Sequence, residues 1–375
     1  MNPFKYGTIV TDKQFINRKK ELLQLASDTL NGNNVIIYAP RRYGKTSLII
    51  ELIKNLKKKG IKIVYLDFFQ VFDQENFIQL YASKIMEAAG FSIKKILNSL
   101  RKYIRGIVPT ITIAENGNPV LSFSYQTEVP KEYSLLDVLD LPEKLKKKGE
   151  RWVIVFDEFQ EINRLNGEIF EKQFRSVLQF HDEIIYIFMG SKTHLMLNMF
   201  TDKRRAFYNI GKIFKLDKIS PDEMKEYIKR EFNKGGFSFQ ENIFEKILYF
   251  TNNIPYYNQF LASQIWQLAK EEGKKINESI INDAVEMILD NQSDYYFTLF
   301  DKLTNYQRKV LYALLYVQEN IYSKEHSKKF GLSSVSSTQR VINVLINSGI
   351  VVEINRRYEF SDPFFPLYLK LRIFA

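Results

Sequence analysis

Short apolar segments alternate with stretches of helical period between residue 33 and about residue 217. Five of these segments predict buried strands: Val35–Ala39, Ile61–Phe68, Trp152–Asp157, Ile184–Met189 and Lys212–Leu216. The stretches between them place apolar residues on one face of a helix. Because strands that alternate with helices are typical of parallel sheets, we predict an α/β domain over residues 1–218.

A different pattern lies between the second and third predicted strands. A helical stretch ends near Arg105, and the segments Thr110–Ala114 and Val120–Tyr125 then flank Glu115-Asn116-Gly117-Asn118. An Asn-Gly pair between two alternating segments is a strong hairpin signal. The sequence therefore predicts a β-hairpin inserted into the α/β domain at about residues 107–127.

The remainder of the chain is mainly helical. Ser220-Pro221-Asp222-Glu223 combines a capping serine, a proline at the first helical position and a glutamate at the third, which predicts a helix start. Helical period continues to about Leu289, so we predict an all-α domain over residues 219–292. From Tyr295 the predicted elements are helices Tyr306–Gln318, Ser323–Phe330 and Ser334–Ser348 and strands Ile350–Ile354 and Arg357–Phe360. Three helices followed by a hairpin favour a winged helix-turn-helix over residues 293–375.

Composition narrows the class of protein. The chain has no cysteine, which excludes disulfides and Cys-based zinc sites, and its three histidines are widely separated. Neither a signal-peptide profile nor a long apolar span is present, so we expect a cytoplasmic protein with no membrane role. The formal charge of +11 favours a polyanionic partner, although lysine runs such as 57–59 and 146–148 are typical of solvated helix ends.

The turn after the first predicted strand contains the most informative motif. Its residues are Ala39-Pro40-Arg41-Arg42-Tyr43-Gly44-Lys45-Thr46-Ser47, close to the phosphate-binding pattern G-x-x-x-x-G-K-[ST]. Backbone N–H groups of such a loop bind phosphate, the lysine reaches the β- and γ-phosphates, and the threonine hydroxyl is a ligand of Mg²⁺. Ala39 replaces the first glycine, and alanine resists a positive φ. An ordinary strand-turn-helix with a chance Gly-Lys-Thr is the alternative.

Four further residues, at three places in the sequence, are candidates for metal binding or catalysis. Asp157 and Glu158 end an apolar strand, where the first carboxylate would hold Mg²⁺ and the second would activate water, unless they form a solvated turn. Ser191 follows the next strand and would either position the attacking water or cap a turn. Arg205 would neutralise charge on the transferred phosphoryl group, from its own or a neighbouring subunit, or it belongs to a basic surface turn.

The ordered motifs resemble the AAA+ and STAND P-loop ATPases, above all archaeal and bacterial ATPases related to origin-recognition proteins. The matching segments are Phe15–Leu22, Pro40–Ser47, Asp157–Gln160, Arg205–Tyr208, Thr251–Tyr257 and Ser361–Phe365. The resemblance implies a P-loop ATPase core, an α-helical lid and a C-terminal winged helix, with ATP and Mg²⁺ bound between core and lid. It also implies that Pro255 of the lid packs by the base. Asn253 stands where the family has glycine.

Two functions follow from these predictions, and a third is disfavoured. The first is a Mg-dependent ATPase that acts as a nucleotide-controlled switch or DNA-associated motor. Its winged helix would contact DNA through cations and polar side chains: Lys324, Lys328, Lys329, Arg340, Arg356, Arg357, Ser333, Ser334, Ser336, Ser337, Thr338 and Gln339. The second is a slow ATP sensor whose winged helix docks a protein partner, in regulation or defence. A homo-oligomer is compatible with both functions. Intact Lys45, Thr46, Asp157 and Glu158 argue against a vestigial nucleotide fold.

Overall fold

The structure is a computed structural model that describes residues 1–10, 15–16, 18–91, 102–113, 119–125 and 131–374. As far as they are described, residues 18–39 and 45–217 form one compact unit, the sheet unit. Residues 1–17, 40–44 and 218–375 form the other, the helical unit. The predicted division into three domains stays a prediction, because the contacts group the chain in two.

The sheet unit contains seven described strands and seven described helices. The strands are β1 Val35–Tyr38, β2 Lys62–Asp67, β3 Ile107–Ile113, β4 Pro119–Tyr125, β5 Trp152–Asp157, β6 Ile184–Gly190 and β7 Lys212–Lys215. The helices are α1 Lys19–Leu30, α2 Lys45–Lys58, α3 Gln74–Ala88, α4 Lys131–Leu139, α5 Leu141–Leu145, α6 Glu168–Leu178 and α7 Thr193–Thr201.

Five strands form a fully parallel sheet in the order β2-β5-β6-β1-β7. This confirms the predicted α/β core and all five predicted strands. Every residue of β5 and β6 is buried, as their continuous apolar sequences require for strands covered on both faces. Aromatic rings fill the core, with Phe159 packed edge-on to Phe68 and against Phe188. The carboxyl ends of β5, β6 and β1 therefore lie side by side on a rigid support.

The inserted hairpin is confirmed where it is described. β3 pairs antiparallel with β4, from Ile107 opposite Tyr125 to Ile113 opposite Pro119. The predicted Asn-Gly turn lies outside the described residues. So does most of the helical stretch predicted to run to Arg105, and the described helix before it, α3, ends at Ala88.

The helical unit contains nine described helices and four short strands. The helices are α8 Pro221–Lys234, α9 Ile243–Phe250, α10 Pro255–Glu271, α11 Glu278–Asn291, α12 Ser293–Asp301, α13 Asn305–Leu314, α14 Lys324–Lys329, α15 Val335–Asn347 and α16 Phe364–Tyr368. The strands are β8 Ser238–Phe239, β9 Lys275–Ile276, β10 Val351–Ile354 and β11 Arg357–Phe360. As predicted, Ser220 caps α8, its Oγ accepting the Glu223 N–H at 3.3 Å.

The winged-helix order α13-α14-α15-β10-β11 is confirmed, with one boundary corrected. The helix predicted to end at Gln318 ends at Leu314. The carbonyl of Ala313 accepts N–H groups from both Tyr316 and Val317, at 3.1 and 2.9 Å, and Asn320 adopts φ 53°. The Tyr316 bond spans three residues and tightens the last turn, and the left-handed Asn320 then redirects the chain. Helices α12 and α16 and the parallel pair β8-β9 were not predicted.

Candidate functional site

The phosphate-binding motif forms the turn between β1 and α2. Gly44 has φ 85° and Arg42 φ 72°, whereas Ala39 is not among the residues with positive φ. Alanine is therefore compatible with the backbone at the position where the motif has glycine. The buried Lys45 donates from Nζ to the Ala39 carbonyl at 2.9 Å, which joins the start of α2 to the end of β1.

Asp157 gathers three hydrogen bonds at the carboxyl end of β5. Its Oδ2 accepts the Thr46 hydroxyl at 3.3 Å and the Tyr65 phenol at 2.5 Å, and its Oδ1 accepts the backbone N–H of Glu158 at 2.9 Å. Burial raises the pKa of Asp157, although the Tyr65 hydrogen bond opposes that shift. Burial also raises the pKa of Tyr65, with Asp157 adding to the effect, so the phenol stays protonated and donates.

Tyr65 is a site residue that the sequence did not indicate. It lies on β2, and β2 pairs directly with β5 so that Tyr65 is level with Val155. The order of strands in the sheet decides this neighbourhood, and no local motif reports that order. The available signal was the hydroxyl of a tyrosine among the apolar residues Ile63, Val64 and Leu66 of this strand.

The arrangement of Thr46 and Asp157 fits a magnesium ion. A hydroxyl and a carboxylate within hydrogen-bond distance are hard oxygen ligands of the type that Mg²⁺ prefers. A cation would also favour the ionised form of the buried Asp157 carboxyl. Over the described residues, no three His, Cys, Asp or Glu side chains cluster to hold a metal. An Mg²⁺ ion held here together with a nucleotide would take its other ligands from water and phosphate oxygens, as is usual for this ion.

Glu158 is held by two side chains from different elements. Its Oε2 accepts hydrogen bonds from the Ser191 hydroxyl and from the Gln160 amide, each at 2.6 Å. The backbone of Glu158 adopts φ 49° and ψ 41°, which turns the chain away from β5. Ser191 follows β6, the strand next to β5. The structure therefore brings together two of the predicted catalytic residues, Glu158 and Ser191, at this end of the sheet.

Gly190 keeps this corner of the site closely packed. A Cβ atom on Gly190 would lie 2.4 Å from both Gln160 Oε1 and Met196 Sδ. Gln160 is buried, and its Oε1 has no hydrogen-bond partner in the described part of the chain. A larger residue at position 190 would displace the amide that holds Glu158.

Arg205 lies in a different environment from the one proposed for it. Its Nε donates to Glu171 Oε2 at 3.0 Å, its second terminal nitrogen also bonds that carboxylate, and Glu171 is fully buried on α6. Burial raises the pKa of Glu171, and the arginine opposes the shift. A role for Arg205 at the phosphoryl group stays a prediction and would require it to leave Glu171.

The other predicted nucleotide-binding residues occupy the loop and its flanks. Pro40, Arg41, Arg42, Tyr43 and Gly44 belong to the helical unit, with Tyr43 buried and Arg41 exposed. Ser47 follows Thr46 on α2. Pro255 is the buried first residue of α10. Binding of nucleotide by these residues stays a prediction.

A family model for the ATPase domain found predominantly in Archaea matches residues 15–258, well over half of the chain. The chain belongs to this ATPase family. A second model, for a probable winged helix domain, matches residues 294–371. Together the two models confirm the family resemblance predicted from the motifs and the C-terminal winged helix of the chain. No helix in the described residues is both long and apolar enough to cross a membrane.

A curated relative matches part of the chain in sequence. An uncharacterized ATP-binding protein of Methanocaldococcus jannaschii is 27% identical over 161 residues, which is 41% of this chain and 42% of that protein. The chain therefore matches less than half of the length of that relative.

Solved structures share the fold. A Walker-type ATPase of Pyrococcus abyssi has a TM-score of 0.66 at 16% identity, covering 98% of this chain and 100% of that one. The ORC2 protein of Aeropyrum pernix, in ADPNP-ADP complexes, has a TM-score of 0.51 at 13% identity, covering 100% and 98%. The ORC1 protein of the same organism, in complex with DNA, has a TM-score of 0.50 at 13% identity, covering 96% and 94%.

Proposed function

We propose that this protein is a Mg-dependent ATPase in which the bound nucleotide controls a DNA-binding winged helix. The hydrogen-bonded set of Thr46, Asp157, Glu158 and Ser191 at one end of the sheet carries the proposal. Family membership and the ATP-binding relative support ATP as the nucleotide. A cytoplasmic location and a homo-oligomer remain predictions.

Each residue of the set has a distinct task in this mechanism. Lys45 binds the β- and γ-phosphates, and Thr46 and Asp157 hold the metal. Mg²⁺, when bound, supplies positive charge that stabilises the transferred phosphoryl group. Glu158 accepts a proton from the attacking water, and Ser191 keeps the Glu158 carboxylate oriented. Tyr65 keeps Asp157 in place by donating to Oδ2.

Exposed cations on the winged helix support DNA as the partner. Residues 295–375 contain eleven Lys and Arg against six Asp and Glu. Lys324, Lys328, Arg340 and Arg356 are exposed, and none of their side chains has a hydrogen-bonded or ion-paired partner among the described residues. Cations without internal partners are available to neutralise phosphates. The ORC1 structure determined with DNA is consistent with this use of the fold.

The residues of α15 that were proposed for DNA contact differ in their exposure. Ser336, Gln339 and Arg340 are exposed on α15. Thr338 is buried, and its hydroxyl bonds the Ser334 carbonyl at 3.1 Å and the Tyr306 phenol at 2.8 Å. Thr338 therefore holds α15 to α13, and the expectation that it contacts DNA is wrong.

Turnover of ATP with and without duplex DNA tests the proposal. We expect Mg-dependent phosphate release that DNA stimulates and that Lys45→Ala abolishes. Lys54→Ala is the matched control, because Lys54 lies on the same helix and pairs with Glu51 at 3.0 Å. Equal turnover by Lys45→Ala and the unaltered protein would contradict the assignment of the loop.

A slow ATP sensor that docks a protein partner is the second candidate. Two observations favour it: both donors to Glu158 restrain that carboxylate, and the winged helix exposes Val335, Val344 and Tyr316 by 54%, 46% and 55%. Exposed apolar residues are typical of protein contacts. A sensor would retain nucleotide through gel filtration, change its assembly state with ATP and ignore DNA.

A further inference from the structure

The Arg42 side chain is bound within the helical unit at both its face and its edge. Its guanidinium carbon lies 4.9 Å from the ring centre of Tyr256 and 4.8 Å from that of Tyr257, at the start of α10. Its terminal nitrogen lies 3.5 Å from Asp362 Oδ2, just before α16 of the winged helix. Arginine suits this position because its planar cation can stack on rings and pair with a carboxylate at once.

The backbone of the same residue is held as well. The Arg42 carbonyl accepts the Tyr256 N–H at 3.3 Å. Arg42 has φ 72°, a left-handed conformation that residues other than glycine rarely adopt. Such conformations persist where the surrounding contacts impose them. The contacts with Tyr256, Tyr257 and Asp362 are the ones that surround this residue.

Asp362 is itself firmly placed. Its Oδ1 accepts the Phe364 N–H at 2.9 Å at the beginning of α16. Burial raises the pKa of Asp362, and the Arg42 cation opposes that shift. The Phe364 N–H thus fixes the carboxyl group at the start of α16, and the Arg42 cation favours its ionised form. A fixed charge is a suitable anchor for the loop arginine.

We propose that Arg42 is a positioning residue for nucleotide binding, held by Asp362 and the two tyrosines in the left-handed conformation that shapes the phosphate-binding loop. Alternation of right- and left-handed residues turns successive backbone N–H groups toward one side, which creates an anion site. Arg42 acts here through the backbone of the loop and not by touching phosphate. The inference rests on the proposed function, because it takes the loop to bind ATP.

Substitution of Arg42 by glycine or by alanine distinguishes the contribution of the backbone conformation from that of the side-chain contacts. Glycine accepts φ 72° without strain, whereas alanine lacks the side-chain contacts and also resists the conformation. We expect Arg42→Ala to weaken binding of a fluorescent ATP analogue about tenfold and Arg42→Gly to stay within about threefold of the unaltered protein. In steady-state turnover by Arg42→Ala, the KM should rise while kcat changes less than about twofold.

Asp362→Asn tests the anchor. Asparagine keeps the shape and an acceptor for the Phe364 N–H, but it removes the charge and replaces the oxygen that faces Arg42 with an NH₂ donor. We expect about fivefold weaker binding in the unaltered background and almost no further change in the Arg42→Gly background, since coupled residues are not additive. Arg308→Ala is the matched control, because Arg308 also stacks on a ring, Phe300 at 4.8 Å, and pairs with an aspartate, Asp301 at 3.1 Å.

The outcomes distinguish this inference from the proposed function. If the unaltered protein and Lys45→Ala bind the analogue equally weakly, the proposed function fails. If the unaltered protein binds but Arg42→Gly is as weak as Arg42→Ala, the guanidinium acts directly and the inference is overturned. An effect of Arg308→Ala as large as that of Arg42→Ala, or an unchanged effect of Asp362→Asn in the Arg42→Gly background, would also overturn it.

Discussion

The Ser191 hydroxyl donates a hydrogen bond to Glu158, with 2.6 Å between Oγ and Oε2. Gln160 donates to the same oxygen at 2.6 Å. The carboxylate that we assign to water activation therefore begins with two fixed donors and a defined orientation. Removing one donor would loosen that orientation, and the turnover rate would report how much the orientation contributes.

We expect Ser191→Ala to lower the ATP turnover number about tenfold with little change in nucleotide affinity, because the Glu158 carboxylate loses one of the two donors that orient it. Glu158→Gln should lower it at least about a hundredfold and leave ATP bound. Phosphate release and nucleotide retention measure the two effects. Ser176→Ala serves as the control, since the hydroxyl of this exposed serine of α6 donates to the Gln173 carbonyl at 2.8 Å and has no proposed role in the site. Faster turnover by Ser191→Ala would mean that the serine restrains the glutamate.

The protein should gain stability when the Asp157 charge is removed. Burial raises the pKa of this carboxyl, so the folded state favours its protonated form. That contribution to stability is present at acid pH and is lost as the pH rises through the raised pKa. Asp157→Asn should therefore raise the melting temperature of the nucleotide-free protein by a few °C, about 2–4 °C per kcal/mol, at neutral pH but not at acid pH.

The same substitution should abolish the additional stabilisation by Mg-ATP, because a metal ligand is lost. Thermal unfolding with and without Mg-ATP measures both effects. Asp28→Asn is the control, since Asp28 is paired with Lys212 at 2.9 Å and has no proposed role in the site. Asp157→Asn melting below the unaltered protein at neutral pH would contradict the assigned cause of the pKa shift.

The sheet was predictable because its strands carry their signal locally. β5 and β6 are continuous apolar runs, and the motif after β1 marks the end of that strand in the sequence itself. The hairpin and the capped start of α8 also depend on neighbouring residues. Periodicity and turn chemistry were sufficient for these elements.

The rest of the site depends on contacts between distant residues. Tyr65 donates a hydrogen bond to Asp157, which lies 92 residues further along the chain on the neighbouring strand. Glu171 takes the Arg205 guanidinium into an ion pair, although nothing near Arg205 in the sequence indicates it. Helix α12 begins at Ser293, where tyrosines and aspartate give no clear apolar face. Strand order and side-chain pairing are tertiary properties, and one sequence does not report them.

Acid should destabilise the sheet unit through His181. Burial lowers the pKa of this histidine below 6.5, although Asp140, 3.4 Å from Nε2, and Glu143 oppose the shift and Lys146 adds to it. Its Nδ1 lies 2.6 Å from the Tyr186 hydroxyl. A lowered pKa means that the unfolded chain takes up the proton first, so stability falls as the pH drops below about 6.5 and through the folded-state pKa.

His181→Gln should flatten this part of the stability profile while keeping a polar partner for Tyr186. Urea unfolding at pH 7.5 and at acid pH, followed by a probe in the sheet unit such as Trp152 fluorescence, measures the difference. We expect the loss of stability between the two pH values to be smaller in the variant, because glutamine takes up no proton in this range. An unchanged loss would assign the acid sensitivity to other groups.

Salt dependence should identify which winged-helix cations contact DNA. Lys328 and Arg356 are exposed and lack ion-paired partners among the described residues. Each of Lys328→Ala and Arg356→Ala should weaken duplex binding and lower the slope of log K against log salt concentration by about 0.9, the value for one phosphate contact. Arg372→Ala is the control, because Arg372 already pairs with Glu286 at 2.6 Å and Asp290 at 3.2 Å. Fluorescence anisotropy with a labelled duplex at several salt concentrations measures the slopes. If the slopes of both variants equal that of Arg372→Ala, these cations do not neutralise phosphate, and the protein-docking function becomes the better explanation of this domain.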